Sequence, residues 1–257
     1  MKRVLVTGAN GQLGLALEDA AKDPSLEIVF MDKSTLDITN AEAIKEVFDK
    51  QSFDVCINAA AYTDVDGAET NEALAYAINA TAVENLAKVC KLHECWLIHI
   101  STDYVFDGTL DRPYTPSDKP NPLNVYGASK LAGEQAIQAV GGTYSIVRTS
   151  WLYSQYGNNF YTKLQAQLDA EKTLQVTTDQ QGCPTRAEDL ATHLLTGIAN
   201  QQLAKGISHY CGSEVMTWLE LARRLFPNQE VLEWSGASSP TIRPKMVVLN
   251  NNNSSTV

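Results

Sequence analysis

The sharpest chemical signal in this sequence is a phenol and an ammonium four residues apart. In Tyr126-Gly127-Ala128-Ser129-Lys130 the two groups stand i,i+4 at the start of a helical pattern, so they share a face and can converge on one point. A free tyrosine ionises near pH ~10. Acid–base work near neutrality asks a site to lower that by up to roughly 3 units, which a close ammonium in a partly dry pocket can do. Such a pair on a solvated helix face usually means nothing, and it gains meaning from what stands ahead of it in the chain.

Ahead of it is Thr7-Gly8-Ala9-Asn10-Gly11-Gln12-Leu13-Gly14, directly after a first apolar run and at the opening of a first helix, the context a glycine-rich phosphate loop requires. Gly8 permits the turn, Gly11 lets backbone approach a pyrophosphate, and Gly14 lets the helix pack closely on a sheet. Asp32 ends the second strand pattern eighteen residues past Gly14, where a carboxylate can accept from the ribose hydroxyls of a dinucleotide. That carboxylate disfavours a 2′-phosphate while neighbouring Lys33 offsets the repulsion, so the expected cofactor is NADH, with NADPH left open. Asp37 either faces the adenine or is a near-cap loop residue. Asn58-Ala59-Ala60-Ala61 offers small residues that lie flat against a cofactor or merely admit a close helix. With a dinucleotide in place, Tyr126 hands a proton to a carbonyl oxygen as hydride reaches its carbon, Lys130 stabilises the phenolate, and Thr102 hydrogen-bonds the same oxygen.

Short β-branched runs alternating with helical-period segments must position these groups, as in βαβ units that carry a parallel sheet. Strands are expected at Val4–Thr7, Glu27–Met31, Asp54–Asn58, Trp96–Ser101, Tyr144–Thr149, Leu174–Thr177 and Ile207–Cys211. Helices are expected at Leu13–Ala21, Asn40–Lys50, Glu72–Val89, Ala128–Ala139, Glu188–Ala199 and Thr217–Phe226, the second opened by a Thr39-x-x-Glu42 capping box. Residues 1–150 read as the dinucleotide-binding domain. Residues 151–249, looser and richer in Gly and Pro, read mainly as a substrate lobe, with some strands free to return to the sheet. The polar stretch 250–257 reads as a disordered tail.

The composition, 257 residues with 44% hydrophobic and 19% charged, suits a globular protein with a large core. No apolar run is long enough to span a membrane and no leader pattern precedes Val4, so the expected location is the cytoplasm. A net charge of −10 argues against nucleic acid and anionic membranes as partners. Five scattered cysteines and four histidines show no ligand spacing, which predicts reduced thiols and no metal site.

The glycine loop, Asn58 to Ala61, Ser101-Thr102-Asp103-Tyr104-Val105-Phe106-Asp107-Gly108, the Tyr126/Lys130 pair and Arg148-Thr149-Ser150-Trp151 together resemble the extended short-chain dehydrogenase/reductases. More narrowly, they resemble the dTDP-4-dehydrorhamnose reductases. The combination of Asn58 to Asp66, the Ser101-Thr102-Asp103 run and Gln181-Gly182-x-Pro184-Thr185 is particular to that branch, and the resemblance runs over roughly residues 1–249. It implies an α/β, Rossmann-type doubly wound parallel sheet with a smaller C-terminal substrate lobe, and reduction of the C4 ketone of dTDP-4-dehydro-β-L-rhamnose to dTDP-L-rhamnose by NADH or NADPH. By resemblance, Gly11, Gln12, Leu13, Asp32, Asp37, Ile38, Ala60, Ala61 and Tyr62 contact the cofactor. Thr102 and Asp103 contact the substrate, Tyr126 donates the proton, and Lys130 is its partner. Trp151 contacts the sugar, or is a core aromatic after its strand. Arg243 meets the diphosphate or is a surface arginine, and Thr185 with Glu188 reads as a capping box. The resemblance also allows a homodimer. The family usually continues into a final helix where this chain reads Asn250 to Val257, so the lobe is expected to be incomplete. Two competing readings share the fold: a non-catalytic regulatory subunit like the methionine adenosyltransferase β subunit, and a nucleotide-sugar epimerase or dehydratase.

Overall fold

The alternation in β1 (Lys2–Thr7) shows how the molecule is layered. Val4 and Val6 point into one apolar cluster and Leu5 into another, because successive strand side chains face opposite ways. Both faces of the strand are therefore covered, and Val4-Leu5-Val6 is an unbroken apolar run. The computed structural model describes residues 1–234 and 239–251.

From β1 the chain passes through α1 (Gln12–Ala20), β2 (Leu26–Met31), α2 (Ala41–Lys50) and β3 (Val55–Asn58). Two short helices, α3 (Val65–Thr70) and α4 (Glu72–Tyr76), run through a π-helical turn, Ala77–Thr81, into α5 (Ala82–Leu92). Then come β4 (Trp96–Thr102), α6 (Val125–Val140) and β5 (Tyr144–Thr149). The C-terminal part adds β6 (Leu152–Tyr153), α7 (Phe160–Asp169), β7 (Leu174–Val176), β8 (Gln181–Gly182), β9 (Thr185–Arg186), α8 (Ala187–Ala199), β10 (Gly206–His209), β11 (Met216–Thr217), α9 (Trp218–Leu225) and β12 (Val231–Glu233).

Six strands form the central sheet in the order β10-β5-β4-β3-β1-β2, every pairing parallel. The chain leaves β1 to one side for β2 and returns to the other side for β3. This reversal opens a crevice at the C-terminal ends of β1 and β3, where ligands of such sheets bind. Helices α1 and α8 cover one face through Leu13, Leu17, Leu190 and Leu194. The other face is covered by α2, α5 and α6 through Ile44, Phe48, Leu86 and Ile137. This is the parallel sheet that the alternating pattern predicts, in the doubly wound Rossmann-type arrangement that the resemblance implies.

Three expectations are corrected. Leu174–Val176 pairs with β12 outside the central sheet, on its own cluster of Leu164, Leu219, Phe226 and Val231. The cap of α2 is Asn40, whose side chain accepts from Ala43 N, while Thr39 is turned back to Asp37. Thr185 caps nothing: its hydroxyl donates to Ser150 O, and α8 starts at Arg186 without a side-chain cap. At the start of the stretch read as a tail, Asn250 N donates to Tyr114 O and Asn251 is hydrogen-bonded to the Cys211 backbone. Residues 252–257 lie outside the described residues. All five cysteines are free and buried, and among the described residues no helix is long and apolar enough to cross a membrane.

Candidate active site

The crevice at the sheet's switch point is a cavity of about 760 Å³. Its phosphate-binding end is shaped by missing side chains. Gly8 has φ +69°, and a Cβ there would stand 2.7 Å from Ala60 Cα, so only glycine lets the first turn lie against the end of β3. A Cβ on Gly14 would stand 2.6 Å from Ala9 Cα. Gly14 does not line the cavity; it draws α1 against the loop. Helix α1 begins at Gly11 with no side-chain cap and no acidic residue in its first turn. The N–H groups of Gln12 and Leu13 are thus left for an anion at the positive end of the helix dipole.

Asp32, Asp37, Ile38, Ala60 and Ala61 line the same cavity. The Asp32 carboxylate is already engaged. Oδ1 accepts from the hydroxyls and amides of Ser34 and Thr35, and Oδ2 accepts from Asn10 Nδ2 at 2.6 Å. The Ser34 and Thr35 hydroxyls, with the Thr35 amide, hold its pKa down to about 2. Asp37 Oδ1 likewise accepts from the Thr39 amide and hydroxyl, so it is both a turn-former and a lining residue. Tyr62 does not line the cavity. Its N–H and C=O are both taken by the side chain of Asn79, which sits in the π-helical turn and also donates to Ser129 Oγ. A Cβ on Gly133 would collide with the Asn79 carbonyl, so α6 can lie on that wide turn only because residue 133 is glycine.

At the opposite end of the cavity Thr102, Asp103, Tyr126, Lys130 and Trp151 come together. Helix α6 opens one turn earlier than the pattern predicts because Asn124 caps it, accepting from Gly127 N and donating to Ile242 O. Gly127 lets this first turn press against the Tyr104 carbonyl. Tyr126 meets the Tyr104 ring edge-on at 5.7 Å, and its hydroxyl lies near that of Thr102. Burial raises the Tyr126 pKa above its ordinary value, more than Thr102 lowers it, and nearby Asp103 and Tyr104 push the same way. The expected depression of this pKa by Lys130 is therefore not found. The Lys130 ammonium is spent elsewhere, donating to Ile100 O at 2.7 Å and lying 3.3 Å from His99 Nε2. Burial lowers its own pKa to about 8, against the pull of Glu134.

Asp103 is buried, and both its oxygens are taken, Oδ1 by Thr102 Oγ1 at 3.1 Å and Oδ2 by Ser150 Oγ at 2.7 Å. Burial lifts its pKa to about 6. Trp151 adopts φ +47° and stacks flat on Trp218 with ring centroids 3.5 Å apart, which leaves at most one ring face for a ligand. Beyond the Trp pair a second cavity, about 950 Å³, shares Lys163, Trp218 and Arg243 with the first and adds Trp234 and Lys245. Arg243 binds Asp66 through Nη2 at 3.0 Å, and its Nε has no partner among the described residues.

Several lining residues escape the sequence reading: Asn10, Asp64, Tyr104, Lys163 and Trp218. For Trp218 a signal existed, since it opens a helix whose Thr217 and Glu220 form a capping box. Among the described residues no group of three or more His, Cys, Asp or Glu is placed to hold a metal.

A parallel sheet of this order, with a glycine turn at its first crossover and a tyrosine–lysine pair over the switch point, defines the short-chain dehydrogenase/reductase class. Within it, the chain belongs to the family described as RmlD substrate binding domain, whose model matches residues 1–256. It is 40% identical over 248 residues to the dTDP-4-dehydrorhamnose reductase of Mycobacterium tuberculosis H37Rv, covering 95% of this chain and 79% of that protein. It is 38% identical over 225 residues to the dTDP-4-keto-6-deoxy-D-glucose reductase of Streptomyces niveus, covering 87% and 77%. The crystal structure of the Bacillus anthracis dTDP-4-dehydrorhamnose reductase in complex with NADP matches with a TM-score of 0.91 at 38% identity, covering 98% of this chain and 91% of that one.

Proposed function

We propose that this chain is a nicotinamide-dependent reductase that converts the C4 ketone of dTDP-4-dehydro-β-L-rhamnose into the alcohol of dTDP-L-rhamnose. The observation that carries the proposal is the convergence of Thr102, Tyr126 and Lys130 at the cavity end nearest the C-terminus of β4. NADH or NADPH fits the rest of the crevice. Gln12 and Leu13 offer amides without a competing carboxylate, Gly8 and Gly11 let the backbone come close, Ala60 and Ala61 form a flat wall, and Asp32 and Asp37 stand at the far end. The bound dinucleotide supplies the hydride. Tyr126, held protonated by its buried setting, gives its phenolic proton to the ketone oxygen, and Thr102, turning its hydroxyl from Asp103, steadies that oxygen with a hydrogen bond. Lys130 keeps a positive charge beside the site as the phenol loses its proton. Exclusion of water by the Tyr104 and Tyr126 rings strengthens each of these interactions.

In the second cavity, Trp234 presents a ring to a base and Trp218, packed between Trp151 and Phe160, presents its edge, while Lys163, Arg243 and Lys245 present charges to a diphosphate. We place the reaction in the cytoplasm. The test follows reduced-nicotinamide absorbance with dTDP-4-dehydro-β-L-rhamnose, and in parallel with dTDP-4-keto-6-deoxy-D-glucose. Stoichiometric cofactor loss with the first sugar, faster than with the second, is expected. Tight cofactor binding without turnover of either sugar would refute the proposal and favour a regulatory subunit.

A further inference from the structure

Beneath Lys130 lies a row of buried polar side chains for which the reaction as outlined has no use. Thr7 and Asn58 end β1 and β3, His99 lies midway along β4, and the strand register sets Thr7 beside Asn58 and Asn58 beside His99. Each is essentially inaccessible to solvent. Thr7 Oγ1 lies 2.7 Å from Asn58 Oδ1, Asn58 Nδ2 lies 3.1 Å from His99 Nδ1, and His99 Nε2 lies 3.3 Å from Lys130 Nζ. Polar groups this deep are retained only where each finds a partner. The imidazole has partners at both nitrogens only because Lys130 reaches it from α6.

We propose that His99, anchored by Asn58 and Thr7, is a positioning residue for Lys130: its Nε2 takes one ammonium hydrogen, Ile100 O takes a second, and the third is left facing the cleft. This rests on the reductase reading, in which Lys130 works as a cation. An ammonium has three donors and no acceptor, so the group facing it must offer a lone pair. Burial, and then the charge of Lys130, hold the imidazole well below its ordinary pKa, so the ring is neutral at physiological pH. A neutral ring that accepts at Nε2 carries its proton on Nδ1 and donates it to the Asn58 amide oxygen. The amide meets this by a half-turn exchanging its oxygen and nitrogen, and its NH₂ then reaches Thr7 Oγ1, which accepts as readily as it donates.

Other charged or titratable groups bear on the same ammonium. Glu134, one turn along α6, raises the Lys130 pKa, and is itself held by Ser101 and by Arg148 of β5. Tyr126 stands one turn before Lys130 on the same helix. Without His99, the buried ammonium would keep Ile100 O as its only acceptor among the described residues, and its proton would be held less tightly.

The test compares His99→Leu and His99→Gln in the full chain. For His99→Leu, kcat at neutral pH should fall about tenfold with KM for the sugar nearly unchanged, as a misplaced catalytic group demands. The alkaline limb of the kcat profile should also move down by about one pH unit. In His99→Gln, where Oε1 can stand in for Nε2, the limb should return toward the wild-type position. A readout free of turnover is the ¹⁵N NMR spectrum of histidine-labelled protein without ligands, with the His99 signals identified by their loss in His99→Gln. A neutral ring protonated on Nδ1 is expected, with an Nε2 resonance that follows the titration of Lys130 and stays still in Lys130→Met. A proton found on Nε2 at neutral pH would overturn the proposal, as would a folded His99→Leu whose alkaline limb does not move. Absence of wild-type turnover would refute the reductase reading alone, and the NMR titration would still decide the role of His99.

Discussion

The floor of the cleft and its outer wall are built from different materials. On the floor, Thr7, Asn58, His99, Ser101, Asp103, Lys130 and Glu134 are all buried, and each is hydrogen-bonded to a neighbour fixed by a strand end or by α6. On the wall, Lys163 and Lys245 are exposed, Trp234 is 46% exposed, and these side chains come from segments far apart in the chain. The difference matches two tasks. Groups that act on a transferring proton must be in place before the reaction, because reorganising them would add to the barrier. Groups that grip the remote part of a ligand can adjust as they bind, and contribute to affinity more than to rate. Floor substitutions should therefore change kcat or stability, and wall substitutions KM.

The largest expected effect is that of Tyr126→Phe: a loss of roughly 10²–10⁴-fold in kcat with cofactor affinity, measured by fluorescence titration, nearly intact. Activity above about a tenth of wild type would remove Tyr126 from the acid role. Next is Glu134→Ala, which strands the Arg148 guanidinium, 1% exposed, without its carboxylate. A loss of about 3–5 kcal/mol is expected, read as a fall of roughly 10 °C in Tm. A shift of only a degree or two would mean that the pair is not what holds α6 to β5. The third is a pH effect. The folded-state pKa of Lys130 lies below its ordinary value, so the ammonium is complete below about pH 8 and is lost as pH rises through that value. The reducing rate should then drop about tenfold per pH unit beyond it, and a flat profile to pH ~10 would exclude a need for the charge.

On the wall, Trp218→Ala should raise KM for the nucleotide sugar about tenfold with kcat within about twofold, worth some 1.4 kcal/mol of binding. A matching fall in kcat would instead tie Trp218 to the floor through its stack on Trp151. The smallest expected change is that of Asp32→Ala, a few-fold shift of cofactor preference from NADH towards NADPH as the carboxylate's repulsion of phosphate is removed. An unaltered ratio of kcat/KM values would clear Asp32 of that role.

The fold was legible because its signals are local. Gly8 is demanded by its own φ and by one close neighbour, and the alternation of Val4, Leu5 and Val6 reports two covered faces directly. The Tyr126/Lys130 spacing was legible for the same reason. Its electrostatics were not, since burial of the phenol and diversion of the ammonium to Ile100 and His99 depend on elements dozens of residues away. His99 read as a lone histidine without ligand spacing, and only the sheet register sets it between Asn58 and Lys130. Thr39 and Thr185 had the right spacing for caps, yet their hydroxyls bond Asp37 and Ser150, a competition that spacing alone does not reveal. Trp218, Lys163 and Arg243 line one cavity although they lie far apart in the chain.

The wide helical turn at Ala77–Thr81 makes the chain's length between β3 and α6 uncompromising. Dropping one residue there would restore regular α-helical winding, but it would also rotate whatever lies on one side of the cut by about 100° relative to the other. The amide of Asn79 would swing off the Tyr62 backbone, and the notch that Gly133 leaves in α6 would face nothing that fits it. A substitution on that turn can be absorbed by a neighbouring side chain, but a deletion would put the two halves of the cleft out of phase.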